Sequence, residues 1–93
     1  MIRIVGDCVE VSGPMTMSGA ATLLAEGEAA ITSNASAFDL AAVTDMDSSC
    51  LAVVFGWMRA ATAGGKTLRF LNLPQNLLSL ATVYGVADLL PSH

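Results

Sequence analysis

The chain has 93 residues, 54% of them apolar and only 13% charged, with a net charge of −4. That length supports one modest core, so a single domain over residues 1–93 is expected, and so few charges leave part of its apolar surface for a partner to cover. The four basic residues (Arg3, Arg59, Lys66, Arg69) form no stripe able to neutralise phosphates, which excludes nucleic-acid binding and disfavours direct contact with anionic lipid.

Ile2 to Val5 and Val9 to Ser12 are predicted as two strands joined by a Gly6-Asp7 hairpin turn. Gly13-Pro14 marks a break, after which Thr16 or Ser18 caps a first helix running to about Ala30. Ala37 to Val43 is a largely buried strand. A second helix begins near Ser48 and stops at Gly64-Gly65, and Lys66 to Leu71 alternates polar and apolar as a strand does. Pro74 opens a third helix with Leu77, Leu80, Ala81 and Tyr84 on one face, Gly85 stops it, and Val86 to Leu90 closes the domain as a short strand or turn. The order β-β-α-β-α-β-α implies a small mixed sheet with helices packed on it, an α/β fold.

The second helix is apolar on every side. At roughly 100° per residue, Leu51, Val54, Phe55, Met58 and Thr62 share one face, expected to meet the core. Cys50, Val53, Gly56, Trp57 and Ala60 share the other, and Arg59 is the only charge between Ser48 and Ala63. A helix of this kind must be covered all round. Two placements are open for Trp57: against a neighbouring helix, or on an outer docking surface.

Other classes are disfavoured. The longest strictly apolar run, Cys50 to Phe55, is far short of the roughly 20 residues of a membrane span, so no direct membrane insertion is expected. The start lacks the apolar centre of a signal peptide, and a cytoplasmic location is expected. Cys8 and Cys50 match no zinc spacing and read as small buried or half-buried thiols. The only histidine, His93, is the last residue, where order is least expected. No GxxxxGK[ST] loop is present; Gly64-Gly65-Lys66-Thr67 resembles only its last fragment and precedes a strand. No cofactor, metal or catalytic residue is expected.

The stretch "TDMDSSC", Thr44 to Cys50, places two acids and two serines at the start of the second helix. A catalytic serine would need a base, and no internal histidine supplies one. Asp47 or Ser48 is suited to cap the helix, while the residues that would complete a capping box are Cys50 and Leu51. Phosphorylation of Ser48 would be favoured by the helix dipole and opposed by Asp45 and Asp47.

These residues resemble a STAS domain, the fold shared by anti-anti-sigma factors and sulfate-transporter tails. Asp47-Ser48-Ser49-Cys50-Leu51 matches the Asp-Ser-Ser-Gly-Leu motif of the anti-anti-sigma branch except at Cys50. Gly13, Phe38-Asp39-Leu40 and the Gly64-Gly65 stop also fall where that fold places them. The segment "LRFLNLPQNLLSLATVYGVADLLP", Leu68 to Pro91, resembles the MlaB branch, whose members are small cytoplasmic subunits of a bacterial phospholipid ABC transporter. The resemblance implies a non-catalytic accessory subunit that binds the transporter's ATP-binding subunit, peripheral to the inner membrane, and helps maintain outer-membrane lipid asymmetry. The implied partner-binding residues are Ser48, Ser49, Cys50, Val53 and Trp57, with Trp57 the buried anchor. Self-association through the apolar helix is open to the isolated chain. The rival is an anti-anti-sigma factor regulated by phosphorylation at Ser48; Thr16, standing where that branch has an acid, and Cys50 argue against it.

Overall fold

The computed structural model describes residues 1–90; Pro91 and His93, both singled out in the sequence, lie outside them. Four strands and three helices follow one another as β1 (Ile2–Val5), β2 (Cys8–Met15), α1 (Ala20–Thr32), β3 (Ala37–Met46), α2 (Ser49–Ala63), β4 (Arg69–Leu71) and α3 (Gln75–Val83), ending in a 3₁₀ turn at Ala87–Leu89. The sheet order is β1-β2-β3-β4, antiparallel for the first pair and parallel for the other two. Gly6, at φ 63, makes the hairpin turn between β1 and β2.

Two crossovers, β2-α1-β3 and β3-α2-β4, step across the sheet in the same direction. Right-handed connections of that kind put both helices on one face. Val9 and Val11 of β2, Phe38 and Leu40 of β3 and Phe70 of β4 are fully buried, or within 1% of it, on that face. Phe38 sits at its centre, 4.4 Å from the Trp57 ring and 5.9 Å from Phe70 between centroids. On the opposite face, Arg3, Glu10 and Asp39 stand in a cross-strand row with Arg3 paired to Glu10.

Several boundaries differ from expectation. β2 runs through Gly13-Pro14 to Met15, because β1 pairs with it only as far as Val11. Beyond that point nothing asks Pro14 for an N–H, and a register shift between Gly13 and Pro14, with Gly13 at φ 80, absorbs the ring. Neither Thr16 nor Ser18 caps α1; their hydroxyls face each other at 3.4 Å and Gly19 takes the cap position. β4 is limited to three residues, and Lys66 instead donates its ammonium to the Ile31 carbonyl at the end of α1. The Gly64-Gly65 stop forms as expected: Gly65 is at φ 72 and Lys66 N–H reaches back to Ala61 O at 2.8 Å.

Candidate docking site

The parallel strands β2 and β3 end together at Met15 and Met46, and the N-terminus of α2 rises beside them. In open α/β sheets this carboxyl edge is where binding sites collect. Asp47 ties the edge together. Its Oδ2 accepts from Met17 N–H at 3.1 Å and its Oδ1 from Ser49 N–H at 2.8 Å. The first of these bonds joins the β2–α1 turn to the second helix, and the other caps that helix. The two donated N–H groups hold the Asp47 carboxyl below its ordinary range, Met17 contributing most. Of the two capping candidates in the sequence, Asp47 therefore does the work.

Ser48 stands at the N-cap position, but its side chain makes no capping bond and is exposed. Ser49 is half-buried. The hydroxyl of Ser48 is thus presented at the edge of the sheet with Met17, 76% exposed, on the adjoining turn. Beside it, Ser48, Leu51, Phe55, Tyr84 and Val86 line a depression of about 260 Å³. Met46, Leu80 and Val83 line a second of about 310 Å³ with Asn76 and Ser79. Apolar side chains predominate in both depressions, with Ser48 and Tyr84 supplying hydroxyls to the first and Asn76 and Ser79 polar groups to the second.

Three of the residues expected to bind a partner are elsewhere. Cys50, Val53 and Trp57 are 0%, 1% and 0% exposed and belong to the core. Trp57 donates Nε1–H to the carbonyls of Leu23 and Leu24 in α1, both at 3.3 Å, and its ring stacks at a tilt on Phe38. The reason is α1, which crosses that side of α2 closely enough to bury it. The face expected to be core is correspondingly the more open one: Leu51 and Val54 are buried, Phe55 and Met58 only half-buried, and Thr62 exposed.

Interior glycines held the missed signal. Gly27 of α1 and Gly56 of α2 each lower helix propensity by about 1 kcal/mol, a cost that marks close helix contact. A Cβ on Gly56 would lie 2.5 Å from Leu24 Cδ1. Gly56 belongs to the same side of α2 as Trp57, so this side faces α1.

Both thiols are raised above their ordinary range. The Cys50 thiol is pushed up to about 11, chiefly by burial and further by the Asp47 charge. Cys8 is half-buried and also raised, by burial first and then by Asp39. Among the described residues, Asp45 accepts only from the neighbouring Met46 N–H. No group of histidine, cysteine and acid side chains suited to a metal occurs among the described residues. Nor is any of their helices long and apolar enough to cross a membrane.

The family model described as "Mlab, STAS domain" matches residues 1–91. The chain belongs to the MlaB-type STAS family. Its fold is similar to that of the anti-sigma factor antagonist SpoIIAA in its unphosphorylated form, with a TM-score of 0.65 and 19% identity. That alignment covers 88% of this chain and 80% of the other. No curated protein matches the chain. STAS domains are regulatory or accessory modules that act through protein–protein contacts.

Proposed function

We propose that this STAS domain is a non-catalytic accessory subunit of a phospholipid ABC transporter of the Mla type. It docks on the transporter's cytoplasmic ATP-binding subunit and supports that subunit's assembly and activity, and so outer-membrane lipid asymmetry. The observation that carries this reading is the exposed Ser48 hydroxyl, free of any capping bond and bordering a largely apolar depression, within a chain of MlaB-type family membership. The docking surface is relocated by burial. Ser48 and Ser49 stay in it, Cys50, Val53 and Trp57 leave it, and Phe55, Val83, Tyr84 and Val86 take their place.

The test is a titration with the ATP-binding subunit of an Mla-type transporter from the same organism, followed by its ATPase rate. A tight complex is expected, with Ser48→Asp weakening it about tenfold or more because a charge is added beside Asp45 and Asp47 where water is expelled. Ser48→Thr keeps the hydroxyl and should bind normally. Absence of any complex would sink the reading. The free Ser48 hydroxyl also fits the rival, a serine-phosphorylated antagonist of an anti-sigma kinase. Transfer of phosphate to Ser48 by such a kinase, with no affinity for the ATP-binding subunit, would favour it.

A further inference from the structure

A trough of about 710 Å³ runs along the second half of α2. Phe55, Met58 and Thr62 form its floor at three- and four-residue spacing, so it lies parallel to the helix axis. Val86 and Leu89, the latter 61% exposed, form the opposite wall. Among the described residues, Arg59 is the only charged side chain lining it. Among the described residues Arg59 has no ion-pair partner; the one ion pair there is Arg3 with Glu10.

We infer that this trough seats an amphipathic helix of the docking partner, its apolar side chains on Phe55, Met58 and Val86 and a carboxylate on Arg59. The inference rests on the docking reading above and names what the partner must present. An open trough parallel to a helix takes the ridge of a second helix, whose residues at three and four spacing match the floor. Covering the trough takes water from the guanidinium, and an uncompensated charge there is costly. The partner therefore brings the counter-charge, and the planar fork of Arg59 fits a carboxylate with two parallel bonds. Among the described residues, no acidic side chain lines the trough. Phe55 and Val86 also line the depression beside Ser48, so the two surfaces are continuous and one partner can cover both. A single acyl chain fits less well, because the trough is open along its length and would leave the chain half in water.

The experiment titrates the full chain with the ATP-binding subunit, using Arg59→Glu, Arg59→Lys and Met58→Glu, with thermal melts to establish that each variant folds. Losses of about tenfold or more are expected for Arg59→Glu and Met58→Glu, with Arg59→Lys in between because an ammonium keeps the charge and loses the fork. A photo-crosslinker at Thr62 should capture a partner peptide with apolar residues at three and four spacing and an acid on the same side. Unchanged affinity in all three folded variants would overturn the inference and leave docking at Ser48 standing. Failure of the wild-type chain to bind would remove both. Arg59→Glu that loses oleate binding but keeps the ATP-binding subunit would assign the trough to a fatty-acid anion and overturn the helix.

Discussion

Gly27 of α1 lies directly under the Trp57 indole of α2: a Cβ built on Gly27 would fall 2.0 Å from Trp57 Nε1. The absence of a side chain at one position creates the space that the other fills. It also leaves the indole N–H within reach of the Leu23 and Leu24 carbonyls. This contact decides which face of α2 is interior.

Gly27→Ala tests it. Alanine gains about 1 kcal/mol of helix propensity, but the methyl group overlaps the indole and overpacking costs about 1–3 kcal/mol or more. Chemical denaturation should show a net loss of stability. A neutral or stabilising result would mean the helices part more easily than this packing implies.

Trp57→Ala should cost about 3–5 kcal/mol of folding free energy, as for other large core truncations. Trp57→Phe should cost less, keeping the ring contact with Phe38 and losing the indole bonds. Because Trp57 is the only tryptophan, its emission reports the site directly. Native emission should be blue-shifted and unchanged on adding the ATP-binding subunit, whereas a shift on complex formation would return Trp57 to the interface.

Ser48 and Asp47 should separate cleanly in stability measurements. Ser48→Ala removes a hydroxyl that makes no capping bond to α2, so melting should be little changed. Asp47→Ala removes the acceptor of both the Met17 and Ser49 N–H groups and should destabilise the domain. Equal effects of the two would contradict the assignment of the cap to Asp47.

Acid should expose the same carboxylate. The folded state lowers the Asp47 pKa, as it does that of Asp39 through Asn72 and the Ala41 N–H. Each contributes stability that is present above the unfolded value of about 3.9 and is lost as pH falls through the lowered native value. Asp47→Asn should therefore flatten the acid limb of a stability–pH curve below about pH 4. An unchanged limb would show that the two N–H bonds do not favour the charged form.

Thiol chemistry should rank the cysteines. Cys50, buried and with its pKa pushed up to about 11, should resist iodoacetamide in the native protein at neutral pH. Cys8, half-buried on the sheet, should label first. Rapid native labelling of Cys50, read by peptide mass spectrometry, would reveal opening at the start of α2.

The sequence by itself determined the element order, because hairpin and helix-stop glycines and the alternation of apolar residues are local signals. Gly6, Gly65 and Gly85 all take the positive φ their positions required. It also made the Asp47-Ser48 cluster visible, since a run of short polar side chains before an apolar helix is legible without a fold. Local pattern could not carry Pro14 through a strand, which depends on where β1 stops pairing. Nor could it orient α2. A helix apolar on every side has no moment strong enough to choose a face, and both candidate faces satisfy the same spacing. Only α1 packing across α2 through Gly27 and Gly56 broke that symmetry. It drew Cys50, Val53 and Trp57 inside and left Phe55, Met58 and Arg59 lining the open trough.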